Sequence, residues 1–132
     1  MVNDLFAAVR VAAESLGYAF MAGNAGAVAG RMDSFPAVWM TPPKLVAATG
    51  CEERTDIYRL SLGMMALAGD ADQKEVYGIL DTDARELCGM VGAADAVVRV
   101  YNMKYTPNMK PLTHFAESGM TVEFDAELFS YK

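Results

Sequence analysis

The chain has one histidine, two cysteines and one tryptophan in 132 residues, and each scarcity removes a class of mechanism. With His114 as the sole imidazole, a Ser-His-Asp or Cys-His triad has no second candidate to draw on, and neither cysteine sits in a nucleophile motif. A zinc site would need His114, Cys51, Cys88 and carboxylates, and no motif spacing relates them. Cys51 and Cys88 are far apart and form no CxxC pair. They are expected to be free thiols packed as small apolar groups, although spacing alone leaves a disulfide open. Two cysteines do not make a disulfide scaffold, so a reducing compartment is expected.

Basic runs are also missing. The net charge is −6, which repels phosphate backbones and anionic bilayers, so direct nucleic-acid or membrane binding is not expected. Met1-Val2-Asn3-Asp4 opens without the basic stretch and apolar run of a signal peptide. No stretch approaches the roughly 20 uninterrupted apolar residues of a membrane helix. Localisation in the cytoplasm follows as an expectation.

Three segments invite a chemical reading and do not sustain it. Gly23 to Arg31 is glycine-rich, but it lacks both the Gly-Lys-Ser/Thr of a P-loop and the GxGxxG fingerprint. Asp70, Asp72, Asp81, Asp83 and Glu86 lack the spacing and terminal glutamate of an EF-hand loop. They read as a turn, a cap and the solvated side of a helix. Trp39, Tyr101 and Tyr105 lack the Arg or Lys interleaving of a base-stacking surface and read as packing residues. His114 reads as a loop residue. No catalytic, cofactor-binding or metal residue is therefore assigned, and the chain is not expected to be an enzyme. A pair of catalytic carboxylates distant in sequence stays open.

What is present is a globular composition, 53% apolar and 21% charged, of a size suited to one domain over residues 1–132. Ten methionines suit an adaptable core or a partner surface that repacks. Leu5, Val9, Ala12 and Leu16 recur at helical spacing and predict a helix over 3–20, with Gly17 as an early stop. Residues 21–34 read as a loop. Short strands are predicted at 35–40 and 44–49, separated by Thr41-Pro42-Pro43, which cannot continue a ladder. Gly50 to Arg54 reads as a turn.

Tyr58, Leu60, Leu62, Met64 and Ala66 alternate with Arg59, Ser61 and Gly63, predicting a strand from Asp56 to about Ala68. Asp72 with Glu75 resembles a capping box. It opens a second helix to about Ala94, whose buried stripe is Val76, Leu80, Ala84, Leu87 and Val91, flanked by Ile79, Cys88 and Met90. Gly78 and Gly89 within it suggest a kink or a close backbone contact. A strand at 97–104 and a long connection over 105–118 follow. The last strand, 119–129, puts Met120, Val122, Phe124, Ala126 and Leu128 on a buried face. Thr121, Glu123, Asp125 and Glu127 fall on a wet one. The order α-β-β-α-β-β predicts an α+β fold, with a largely antiparallel β-sheet and two main α-helices packed on one face.

This layout resembles the tail terminator and tail completion proteins, minor tail proteins of long-tailed phages. The resemblance lies in the N-terminal helix leading into Phe35-Pro36-Ala37-Val38-Trp39-Met40-Thr41-Pro42-Pro43, in the strand–helix–strand run over 58–104, and in the terminal strand Gly119-Met120-Thr121-Val122-Glu123-Phe124. It covers most of the chain through the order of elements. It implies a structural assembly protein of a phage or prophage that self-associates, often as a hexameric ring at the end of the tail tube. Such a ring stops tube growth and joins tail to head, with other tail or head–tail connector proteins as partners and the virion tail as its location. It carries no cofactor or catalytic residue. The alternative reading is a small α+β ligand- or peptide-binding module. The 21–34 and 105–118 segments are long for a domain of this size and are candidates for contact with a neighbour.

Overall fold

In the computed structural model, residues 2–23, 35–49, 54–67, 73–108 and 117–130 are described. In chain order the elements are α1 (Val2–Ser15), β1 (Ala19–Ala22), β2 (Ala37–Met40), β3 (Lys44–Thr49), β4 (Arg54–Ala66), α2 (Gln73–Gly92), β5 (Val97–Pro107) and β6 (Ser118–Ser130). β4 and β6 are the axis of the molecule. They pair antiparallel along their whole length, with Arg54 opposite Ser130 and Ala66 opposite Ser118. The sheet runs β1-β2-β4-β6-β5, and β3 pairs with the other half of the β4 edge that β2 uses. β1 and β2 pair in parallel, and the other described pairings are antiparallel. The fold is α+β.

Alternation in the two long strands decides which face is buried. Leu60, Leu62 and Met64 of β4 and Met120, Val122, Phe124, Ala126 and Leu128 of β6 point to one face. Both helices cover that face. α1 contributes Leu5, Val9, Ala12 and Ala13, and α2 contributes Val76, Leu80, Ala84, Leu87, Cys88 and Val91. The stripe on α2 is the one its spacing predicts. Each large side chain buried there stabilises the fold by about 1.5–3 kcal/mol before entropy is counted.

Several boundaries differ from the expectation. α1 ends at Ser15 rather than near residue 20, because Gly17 takes φ +85°. Tyr18 N–H then donates to Ala13 C=O and Gly17 N–H to Glu14 C=O, the pattern of a Schellman cap. The chain leaves that cap as a strand, so Ala19–Ala22 is β1 and not helix or loop. Four residues carry too little alternation to be seen as a strand, even after a glycine that can stop the helix. β5 runs on through Pro107, three residues into the expected connection. Its edge position tolerates a proline. Gly78 and Gly89 mark no close contact: α2 runs as one helix across both, and a Cβ at either would meet nothing within 4 Å. Ile79 and Met90, expected to flank the core, are exposed instead. Cys51, Asp70, Asp72, His114 and most of the 21–34 and 105–118 segments lie outside the described residues.

The face away from the helices is not uniformly wet. At the β1–β2–β4 end, Ala37, Trp39 and Met65 form a second buried cluster with Ala19, Met21 and Phe35 packed against it. Trp39 lies opposite Gly63 in register, where no side chain competes for the space. Its indole N–H donates to Gly23 C=O at 3.0 Å, so the ring's one polar group is satisfied.

Candidate functional site

On the other half of that outer face, β4, β6 and β5 bring charged side chains side by side. Cross-strand register puts Arg59 beside Asp125, Asp125 beside Tyr101, Glu123 beside Lys104 and Glu127 beside Arg99. Asp125, expected to face water, is 4% exposed. Arg59 Nε donates to Asp125 Oδ1 at 3.0 Å, and Asn102 Nδ2 donates to Oδ2 at 3.0 Å. These donors hold the carboxyl below its ordinary value, the Arg59 hydrogen bond contributing most. One carboxylate therefore ties together three strands.

Asn102 reaches Asp125 because β5 breaks its own geometry. The register slips between Tyr101 and Lys104, and Asn102 takes φ 57°. Asparagine is among the few residues that adopt the left-handed region at modest cost, and the bulge turns its amide back over β6. Alternation alone could not show this, since the irregularity is what aims the side chain. Arg99 completes the ladder. It meets Glu127 at 3.4 Å and lies over the Tyr101 ring at 4.6 Å from the centroid.

Around this cluster the surface is a shallow groove. One part, about 250 Å³, is lined by Arg59, Asn102, Lys104, Glu123 and Asp125. A second, about 140 Å³, continues past Arg59, Ser61 and Glu123 to Thr41, Pro42 and Lys44. The charges are mixed and largely matched across strands, which suits a structural clamp or a polar contact surface. A general acid or base would want a carboxyl raised by burial, and Asp125 is shifted the other way.

Other chemistry-bearing side chains are also occupied in packing. Tyr18 O–H donates to Asp83 Oδ2 at 2.6 Å, joining the end of α1 to α2, so Asp83 is not simply on the solvated side of its helix. Burial and that bond raise the Tyr18 pKa well above its ordinary value. Cys88 is a buried free thiol whose pKa is raised by desolvation, the environment of an inert thiol. Beside it lies Tyr105, whose own pKa is pushed up to about 12, chiefly by burial. Arg85 stacks over the Tyr105 ring at 4.7 Å and pairs with Asp81 at 3.1 Å. Among the described residues no group of three or more His, Cys, Asp or Glu is placed to hold a metal ion. No helix among them is long and apolar enough to cross a membrane.

Apolar side chains reach water at several places, Ile79, Met103 and Phe129 among them, and at two surfaces in particular. A groove of about 430 Å³ lies between α1 and the end of α2, lined mainly by Ala7, Ala8, Val11, Met90 and Ala94, with Asp4 and Ser15 among its polar groups. At one end of the sheet, β3 exposes Leu45 and Val46 at 58% and 48%.

No protein-family model matches the chain, and no curated protein matches it. Among solved structures it is similar to a chain from the "Virion of native gene transfer agent (GTA) particle". The TM-score is 0.48 at 13% sequence identity, over 96% of this chain and 95% of that one. At that level nothing about activity or partners carries over to this chain.

Proposed function

We propose that the chain is a structural assembly subunit of a phage-like particle, working through contacts with copies of itself and with other particle proteins rather than by catalysis. In its finer form it is a tail terminator or tail completion subunit, forming a ring at the end of the tail tube, as the order of its elements suggests. The observation that carries the reading is the apolar end of the sheet. Leu45 and Val46 are exposed on a strand that pairs with β4 alone among the described strands, and such surface in a small domain is best accounted for by a partner that covers it. The Arg59–Asp125–Asn102 clamp supports the same reading, because it uses the most buried charge of the outer face to fix strand geometry.

Disrupting the gene in the host that encodes it tests the finer form. Particles lacking a terminator should show tails of uncontrolled length, or tails detached from heads, in negative-stain images. Normal particles at normal yield would contradict it.

The α1–α2 groove favours a second reading, a small ligand- or peptide-binding module. Ligand cavities enclose their occupant and offer a few convergent polar groups. This groove is open, and the Ser15 hydroxyl already donates to Val11 C=O at 2.7 Å. A chemical-shift survey with a fragment library separates the readings. Saturable shifts clustered at Ala8, Val11 and Met90 would favour the module.

A further inference from the structure

The charged half of the outer sheet face does not present its charges evenly. Its carboxylates lie low and its cations stand above them. The Arg59 side chain is 57% exposed beside an Asp125 side chain at 6%, and Arg99 is 63% exposed beside Glu127 at 14%. Lys44 and Lys104 are exposed as well. These cations span the width β3-β4-β6-β5, about 14 Å at the usual strand spacing. Phe129 follows Asp125 and Glu127 on the same face and is partly exposed. A partner therefore meets a cationic and partly apolar surface on a protein whose net charge is −6.

The helical layer, on the far side of the sheet, presents the reverse. The α1–α2 groove has an apolar floor that includes Val11, and Asp4 lines it. Glu86 is exposed one helical turn before Met90, and Asp95 is exposed between Ala94 and Ala96, three residues that line the same groove. Among the described residues no cation lines it. Arg10 is turned over the Phe20 ring at 5.5 Å, Arg85 is held by Tyr105 and Asp81, and Lys74 is at the other end of α2.

We infer that the charged half of the outer sheet face of one copy docks on the α1–α2 groove of a second copy, cations to carboxylates and Phe129 to the apolar floor. Charge complementarity names the occupant. Of the surfaces described in this chain, the groove is the one that joins exposed apolar side chains to carboxylates without a competing cation. An uncovered sheet face is also the kind of surface that packs on helices. A nucleic acid would bring phosphates to the same cations, but it would meet the repulsion of the whole acidic protein and leave Phe129 without a partner. The two surfaces differ, so the contact is heterologous. Each end of a growing assembly keeps one free surface, and addition continues until the rotation between copies closes a ring or runs on as a filament.

The inference rests on the assembly reading and names the surfaces it uses. Light scattering at low salt, across a wide concentration range, tests it with two charge-reversed proteins. One carries Lys44→Glu plus Lys104→Glu on the sheet, and the other Glu86→Lys plus Asp95→Lys on the helical layer. All four side chains are exposed, so circular dichroism should be unchanged in both. Wild-type mass should rise with concentration and fall with added salt. Each variant alone should associate roughly tenfold or more weakly, because like charges now meet. An equal mixture of the two should recover assembly, since each reversed surface then finds its complement on the other protein. A monomeric wild type, a variant whose mass matches wild type, or a mixture that fails to recover overturns the inference. So does a monomeric wild type retarded by duplex DNA through Lys44 and Lys104, which would give the cationic face to nucleic acid. Each of these results leaves the gene-disruption phenotype, and with it the assembly reading, to stand or fall separately.

Discussion

Phe124 and Asp125 are neighbours on β6, both withdrawn from water, and they are withdrawn for opposite reasons. Phe124 enters the face that the helices cover, where Leu60, Leu80 and Leu87 are also fully buried. Its stability comes from apolar area, and any side chain of similar size and shape would serve. Asp125 enters the uncovered face, where Arg59 and Asn102 satisfy it. Its position depends on particular donors on two other strands, one of them in an unusual backbone conformation. The first face specifies that the chain folds. The second specifies how β4, β6 and β5 lie relative to one another on the side that no described helix covers.

The difference can be broken most strongly from the apolar side. Phe124→Ala should cost about 3–5 kcal/mol by urea titration, the range for emptying a large aromatic site in a core. Asp125→Ala should cost less, about 1–2 kcal/mol, because Arg59 and Asn102 are both exposed and each can turn to water. The two faces also separate by pH. The folded Asp125 carboxyl titrates below the ordinary 3.8, so its stabilisation is present above that value and is lost as pH falls through the depressed pKa. The gap in urea midpoint between wild type and Asp125→Asn should therefore close in acid. The gap between wild type and Phe124→Ala should not depend on this carboxyl.

Smaller effects sharpen the contrast. Tyr18→Phe removes the bond to Asp83 and should cost about 1 kcal/mol. Tyr18 and Tyr105 both hold their protons more tightly than an ordinary tyrosine at 10.0, Tyr105 to about 12. Their contribution is complete below pH 10 and falls as pH rises above it, so Tyr18→Phe and wild type should converge in alkali. Gly78→Ala and Gly89→Ala should each stabilise by up to about 1 kcal/mol, since α2 is regular at both and a Cβ meets nothing. A thermal scan checks this. Loss of stability at Gly78 would mean that the open surface of α2 is covered in solution.

The same pair of residues shows what the sequence could reveal. The alternation of Met120, Val122, Phe124, Ala126 and Leu128 was legible because burial on a covered face follows a period of two. The α2 stripe was legible in the same way. Asp125 was assigned to the wet face by that period and is instead buried, because its surroundings depend on a bulge in β5, and a bulge is a departure from period. β1 was missed for a related reason: four residues after a glycine cap are too few to establish alternation. Trp39 was expected in packing, but its placement against Gly63 on the face opposite the helices depends on register between β2 and β4, which no local pattern encodes. The exposed β3 edge was legible as a strand and not as an edge, since strand order is a property of the assembled sheet.

The most direct test of the assembly account is mass spectrometry of purified particles from the organism that carries the gene. The account predicts this chain in the particle fraction, at a fixed ratio to the major tube or capsid protein and resistant to salt washing. Its confinement to the particle-free supernatant, at wild-type expression, would contradict that central claim.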